Sequence, residues 1–562
     1  VNRRDAGVVL VLVAVLAILA SAVAAPSFAP AAAQAPSPSP VPAVGHVEGV
    51  VGRPSSITPV TARTQVDRDL VALLFRGLVR LGSGTSILPD LAESWTVEKK
   101  GARWTFRLRD DAWWHDGTPV TADDVAFTIA VLQHPDYTGP LAATWARVKT
   151  TALDVNTVRF DLENPVGGFL QAATLPLLPA HLLADVPVAD LADSDFARWP
   201  IGNGAFALVE LTDERAVVEP VLPQVDEAEA PLDEPGAGAA AIRTPRLASL
   251  ELHFHDTPAA LAAAFAAGEV DAAADLLPAD AMDLAASTAD ARALRYPAST
   301  LTAIAFNQRS LTGPFSDQRT RLALVAAIDR EALVADLLGG AGSLASTPIP
   351  PSSWAHDAKA APLVAFDRAA AAKGLRDAGW KRSDAKAWIA PGGSKPLELS
   401  LLVPESSANQ LVHATADRVA EAWSALGLAT SVEALPPGEF VERLRTGDYA
   451  AAVVDVNLGL DPDPYAILGS SQSREGGSNV VGIQSATLDA ALLAARAPGT
   501  MEERTKAYAE LQKLLGTLQP MPALFFRDSV LVAGPDLVGP EVRPVADAGD
   551  RFWDVVRWLS GR

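Results

Sequence analysis

A chain of 562 residues, 49% hydrophobic and 20% charged, is too long for one compact core and apolar enough to fold over most of its length. A formal net charge of −21 and the lack of a basic stripe argue against nucleic acid, because phosphate binding needs a cationic surface; the acidity fits solubility outside a cell. There is no cysteine, which excludes disulfide scaffolds, thiol catalysis, cysteine-held zinc and lipid attachment through an N-terminal cysteine.

The first readable segment follows Arg3 and Arg4: the twenty residues Ala6–Ala25 carry no charge. As a helix they would span roughly 30 Å, the thickness of a bilayer's hydrocarbon core. Two readings stay open: a long signal peptide with Ala22-Val23-Ala24 as its cleavage site, or an uncleaved anchor with the arginines inside. Residues 26–45 form a Pro/Ala/Ser run that cannot pack a core and reads as an extended tether. The folded part is expected from His46, and the chain is expected to be exported.

Residues 46–255 predict a first lobe rich in short strands. Trp104–Arg109 and Thr157–Glu163 alternate apolar and polar residues, as half-buried strands do. Thr121–Gln133 predicts a helix with Thr121 and Asp124 at capping-box spacing, and Asp116-Gly117 marks the turn before it. Val221–Pro245, acidic and rich in Pro, Ala and Gly, reads as a flexible surface insertion.

Residues 256–520 predict a second, α/β lobe. Asp256–Ala273 holds a helix, a turn and a strand. The helices Ser316–Ile328 and Asp329–Gly340 follow, with Asp329 placed to cap the second and Gly339 to end it. Phe366–Trp380 is another helix, set between Asp367 and Gly379. Leu397–Val403, the helix Asn409–Leu426 and Ala429–Leu435 form a β-α-β unit, which requires a parallel pair with a crossover helix. From Pro522 the pattern returns to short strands, so residues 521–562 are expected to rejoin the first lobe. Two such lobes leave a ligand cleft between them.

Leu88–Phe127 crowds four tryptophans, a His-Asp-Gly and two aspartate pairs, so catalysis is tested there first. His115 beside Asp116 suits a base with its orienting carboxylate, yet no G-x-S-x-G or S-x-x-K pattern in a matching context supplies a nucleophile, and the pair reads as turn chemistry. His253 and His255 share one face of a strand with no third ligand near in sequence. Asp455–Ala466 alternates oxygen ligands, but Leu460 stands where a calcium loop needs Gly and Ala466 where it needs Glu. No phosphate loop occurs. Enzyme, metal and cofactor find no support, and Trp95, Trp104, Trp113 and Trp114 are read as packing residues.

The same stretch carries a family resemblance. Pro89–Val125 follows the order P-x-L-A-x-S-W, an aromatic-x-F-x-L-R strand, then H-D-G-x-P-x-T-A-x-D-V. Trp199–Leu208 (WPIGNGAFAL) is similar to a P-I-G-T-G-P-Y motif, with Asn203, Ala205 and Phe206 as departures. Ala264–Ala273, Ala305–Val334, Gly374–Trp380 and Asp461–Leu493 continue the series in order. Over about residues 47–562 the chain resembles the family 5 extracellular solute-binding proteins, the peptide- and nickel-binding components of bacterial ABC importers.

The resemblance implies an α/β, two-lobed periplasmic-binding-protein-like fold of type II, in its large peptide-binding variant, with the ligand cleft between lobes. It implies lobes that close on a small-molecule or peptide ligand; the residues themselves offer no catalytic group, cofactor site or metal site, and a monomer is expected. The permease subunits of an ABC transporter would then receive that ligand. An oligopeptide is the expected ligand. A non-peptide polar or anionic solute, and a membrane-anchored sensor that kept the fold, are the alternatives.

Peptide-binding members of the family hold the ligand's α-ammonium with an aspartate four residues before the proline of an acidic-Pro dipeptide. Here the dipeptide is Asp461-Pro462 and the clamp position is Leu458, which cannot supply a charge-assisted hydrogen bond. Asp455, three residues further back, or Asn457 would substitute if the loop is shifted. Thr61–Gln65 (TARTQ) falls where the family's N-terminal cleft loop lies. Within it, Arg63 stands where some peptide binders are acidic; a solvated loop residue is the other reading. The candidate ligand contacts are therefore Arg63, Thr64, Asp455, Asn457, Leu458 and Asp461.

Overall fold

The computed structural model describes residues 44–561 except 85, 140, 222–244 and 475–476. The expected export segment, nearly all of the tether and nearly all of the acidic insertion thus lie outside the described residues. Among the described residues no helix is long and apolar enough to cross a membrane.

An eleven-stranded mixed sheet runs through the fold. Its strands are β1 (His46–Val51), β2 (Phe206–Leu211), β3 (Arg215–Pro220), β4 (Leu250–His255), β5 (Ala272–Ala273), β6 (Arg292–Phe306), β7 (Gly342–Leu344), β8 (Glu398–Pro404), β9 (Ala429–Leu435), β10 (Ala451–Asn457) and β11 (Ala523–Ala533). They lie in the order β9-β8-β10-β6-β11-β5-β1-β4-β3-β2, with β7 paired on β11. The β-α-β unit read from the sequence is β8, the helix Gln410–Leu426 and β9, and its strands are parallel. A separate four-stranded antiparallel sheet, Ala92–Glu98, Arg103–Leu108, Thr157–Leu162 and Val148–Asp154, buries Phe106 against Phe160 edge to face at 5.7 Å.

Two strands run between separate cores. β6 has 15 residues and β11 has 11, long beside a typical strand of about 5–6 residues. Arg292–Pro297 of β6 pairs with β11; after an irregularity between Pro297 and Leu301 the strand also pairs with β10. Buried side chains divide at the same place. Tyr296, Leu531 and Ala533 pack in a cluster made mostly of residues 50–254, whereas Leu301, Ile304, Phe525 and Phe526 pack with residues drawn from 301–526.

The segment from Pro522, expected as short strands, departs from that expectation. β11 is one long strand because Ala523–Phe526 and Val530–Ala533 are buried along their whole length, and a strand covered on both faces has an apolar run where a half-exposed one alternates. A 3-10 helix, Ala548–Arg557, follows. Local signals elsewhere match their elements. Thr121 and Asp124 form a capping box, Asp329 caps the helix Arg330–Leu338, Gly339 ends it at φ +56°, and Asp367 caps Arg368–Asp377. Trp104 and Trp114 are buried and Trp95 packs half-buried on the core, but Trp113 is 48% exposed and has no packing role of that kind.

The first strand and the last helix are joined by buried charge. Arg551 donates from Nη1 and Nη2 to Asp69 at 2.8 and 2.6 Å, and from Nε to Glu48 Oε1 at 3.1 Å. All three side chains are at most 2% exposed. Burial pushes the Asp69 carboxyl up against the pull of Arg551. Glu48 is pushed the same way by burial, yet Arg551 and His46 hold it below its ordinary value. Removing one member of a buried, hydrogen-bonded set leaves the others uncompensated. Arg551→Met is therefore expected to cost about 3–5 kcal/mol, read from the urea midpoint and slope; a loss under about 1 kcal/mol would remove the network from that role.

The helix Gln65–Leu74 starts from a second capping box, in which Thr64 Oγ1 accepts from Asp67 N at 3.0 Å and Asp67 Oδ2 accepts from Thr64 N at 2.8 Å. Burial would push the Asp67 carboxyl up, but the backbone N–H groups of Thr64, Ser56, Arg63 and Ser55 outweigh it and the net shift is downward. A carboxyl lowered on folding stabilises above its unfolded value of about 4, and that stability is lost as pH falls through the folded value. Asp67→Asn should therefore lower the melting temperature at neutral pH. The gap to wild type should shrink as pH drops below about 4; a gap that does not change with pH contradicts the account.

Candidate functional site

β10 carries the segment that the sequence nominates. Ala451–Val454 are buried, and polarity begins at Asp455, which sits opposite Thr302 of β6. Thr302 Oγ1 donates to Asp455 Oδ1 at 2.6 Å, and Asn409 Nδ2 donates to Oδ2 at 3.3 Å. Asn409 is held for this by its second duty, capping the helix Gln410–Leu426 through Val412 N. Arg527, on β11, completes the set with an Nη1 bond and ion pair to the same Oδ2. Both Asp455 oxygens are thus engaged, one of them by a charge-assisted bond. Asp455 does not offer a free carboxylate.

Asn457 ends β10 and connects distant parts of the chain. Its Oδ1 accepts from Ser299 Oγ and Gly459 N, each at 2.9 Å, and its Nδ2 donates to Ala546 O at 2.7 Å. The neighbouring Asp547 accepts from Gln65 Nε2 at 2.9 Å and pairs with Arg68 at 2.8 Å. The two segments nominated from the sequence, 61–65 and 455–461, therefore meet through residues 546–547. Leu458 donates its N–H to Ser299 O at 3.2 Å, while its side chain packs half-buried on a hydrophobic cluster. Its role here is packing.

Asp461 is bound by Arg504, whose Nη2 donates to both carboxylate oxygens at 2.7 and 2.9 Å and whose guanidinium stacks on Trp354 at 4.6 Å. A Cβ at Gly168 would lie 2.2 Å from Asp461 Oδ2, so only glycine permits this approach. Asp463 pairs with Arg496 at 3.0 Å, and burial pushes its carboxyl up despite that partner. The acidic loop is braced by two arginines.

Arg63 is exposed; its backbone N–H binds Asp67 Oδ2 at 2.9 Å, and among the described residues its guanidinium has no ion-pair partner. Thr64 uses its hydroxyl as the helix cap. Of the six nominated residues, Arg63 and Asn457 are exposed, Asp455 and Asp461 are ion-paired, Leu458 packs and Thr64 caps. Sequence reasoning missed Arg527, Asn409, Ser299 and Asp547. The one signal was the polar run Arg527-Asp528-Ser529, set between the apolar stretches Ala523–Phe526 and Val530–Ala533 of one strand. His115 Nε2 donates to Gly204 O at 3.1 Å, and burial lowers its pKa; Asp116 pairs instead with His181 at 2.7 Å. Among the described residues no group of three His, Asp or Glu is placed to hold a metal ion.

A family model described as bacterial extracellular solute-binding proteins, family 5 middle, matches residues 86–479. The oligopeptide-binding protein AppA of Bacillus subtilis strain 168 is 25% identical over 525 residues, 91% of each chain. The periplasmic murein peptide-binding protein MppA of Escherichia coli K12 is 25% identical over 512 residues, 85% of this chain and 87% of that protein. Among solved structures, NikZ from Campylobacter jejuni in complex with Ni(L-His) aligns with a TM-score of 0.72 at 25% identity, over 92% of this chain and 100% of the other. With a mixed α/β fold shared along nearly its whole described length, the chain belongs to family 5 of the bacterial extracellular solute-binding proteins, the non-enzymatic receptors of ABC importers.

Proposed function

We propose that this receptor captures an oligopeptide without clamping its α-ammonium, so that N-blocked peptides bind as well as free-amine ones. The observation that carries this reading is the Asp455–Arg527 pair, which neutralises a carboxylate three residues from the expected clamp, as Arg504 does for Asp461 on the other side. Peptide is favoured as the ligand class by AppA and MppA, whose names record peptide binding. Arg63, exposed and without an ion-pair partner among the described residues, favours a second reading, a non-peptide anionic solute. Arg63 and Asn457 are the proposed ligand contacts.

The proposal takes residues 46–255 with 521–562 as one lobe and 256–520 as the other, turning about β6 and β11. Support comes from the division of buried side chains along those two strands. A ligand touching both lobes would stabilise the closed form by its differential affinity. Ala6–Ala25 is proposed as the export signal or anchor.

Titration calorimetry with tetra-alanine, N-acetyl-tetra-alanine and the dianion succinate separates the readings. The peptide reading expects the two peptides to bind within about threefold of each other, under 1 kcal/mol apart. A loss of more than about tenfold on acetylation would mean that an acid clamps the amine after all. Heat from succinate alone would support the anionic reading. In a further variant, Arg527→Gln releases Asp455 and should raise the preference for free-amine over acetylated peptide about tenfold.

A further inference from the structure

Outside β6 and β11, the two proposed lobes also meet where three glycines of the first lie against the second. Gly101 lies between two strands of the four-stranded sheet, and Gly167 and Gly168 follow its strand Thr157–Leu162. Gly167 N donates to Arg496 O at 2.9 Å. A Cβ on Gly167 would lie 2.6 Å from Arg504 Nε, and one on Gly101 would lie 2.9 Å from Pro498 Cγ, both closer than real Cβ atoms come. A Cβ on Gly168 would strike Asp461 Oδ2 in the same way. The three positions reach Asp461, Arg504 and the 496–498 turn because they carry no side chain.

The two sides pack in separate cores. Leu162 and Phe169 are buried in the cluster made mostly of residues 50–254, with Val166 and Leu170 packed on it, whereas Leu492, Ala495 and Tyr508 are buried in a cluster drawn from 301–526. What meets between them is glycine backbone, a proline ring and charged side chains. Asp461 is not free to swing aside, because Arg504 holds both of its oxygens and is itself stacked on Trp354. The pairs Asp461–Arg504 and Asp463–Arg496 each lie within the second lobe, so their charges stay compensated whether or not the first lobe is seated on them. A small polar contact between separate cores is one that domains make and break, where a large apolar one would fix them.

We propose that this contact is a latch. Gly101, Gly167 and Gly168 seat on the Asp461–Arg504 pair and the 496–498 turn when the receptor closes, and leave them when it opens. The inference rests on the lobes and the closure proposed above, and it makes Gly167 and Gly168 positioning residues for ligand capture although they need not touch the ligand. Every group in the latch belongs to the protein, so it favours the closed form whatever solute fills the cleft. A chain that cannot seat it must draw more of the closing free energy from the solute, and its apparent affinity falls with the closed fraction.

The chain has no cysteine of its own, so introduced thiols can be spin-labelled cleanly and their separation read by pulsed dipolar spectroscopy. Thr96→Cys with Met501→Cys, both exposed, places one label on each side of the contact. With no solute added, Gly168→Val in this background is expected to move most labelled molecules to longer distances. Gly168→Ala, a smaller intrusion, should give an intermediate distribution and serves if the valine variant does not fold. Leu182→Cys with Val441→Cys, exposed positions on the two proposed lobes, reports movement elsewhere. Should this second pair show two populations while the first keeps one distance in every folded variant, the lobes move and the latch is overturned. One unchanged distance for both pairs would overturn closure itself, and the latch with it. Because no solute is present, a failure of tetra-alanine to bind would count against the peptide reading alone.

Discussion

The buried contact of Arg551 with Glu48 and Asp69 is the constraint on which the rest of the molecule depends. It joins the first strand of the main sheet, the first long helix and the last helix, across 503 residues of sequence. Charges taken out of water this completely hold only if the geometry satisfies them, so the network fixes where the C-terminal segment sits. Asp275 adds to the cost: burial and the neighbouring Asp69 push its carboxyl well above the usual range, and its Oδ2 has no partner. With Arg551 in place, Asp547 comes within reach of Gln65 and Arg68, and Ala546 comes within reach of Asn457. The candidate site is assembled from this end of the chain as much as from β10.

A second constraint is the pair of long strands. Several strands feed clusters on the two faces of the sheet, but β6 and β11 reach both the cluster made mostly of residues 50–254 and the clusters drawn from 301–526. Arg527 sits on β11 between Phe526, which packs with one cluster, and Val530, which packs with another. The ion pair with Asp455 therefore lies at the place where the clusters meet along that strand, not deep inside any of them. Rotation about β6 and β11, as the proposed closure requires, would be felt at this pair.

What the sequence made legible was mostly local. The caps at Thr121, Asp329 and Asp367, the stop at Gly339 and the parallel β-α-β unit follow from residues within a few positions of each other, where hydrogen-bond geometry leaves few alternatives. Thr64 was legible too: Thr64 and Asp67 have the same spacing as Thr121 and Asp124, yet its place in a family loop drew the reading toward ligand contact. The partners of Asp455 were not legible. Arg527 lies 72 residues away and Thr302 lies 153 away, and only the register of three strands brings them together. The length of β11 was misread because an apolar run signals burial on both faces without stating how far the strand extends.

The link between Asn457 and Ala546 distributes its dependence unequally. The donor is a side-chain amide, and the acceptor is a main-chain carbonyl. Every amino acid supplies that carbonyl, so position 546 is free to vary in identity while the contact persists, provided the backbone keeps its path. Position 457 has no such latitude, since few side chains present an amide donor together with an acceptor for Ser299 and Gly459. Sequence drift across this junction is therefore expected to be one-sided, with tolerance at the C-terminal partner and restriction at the strand end that reaches for it.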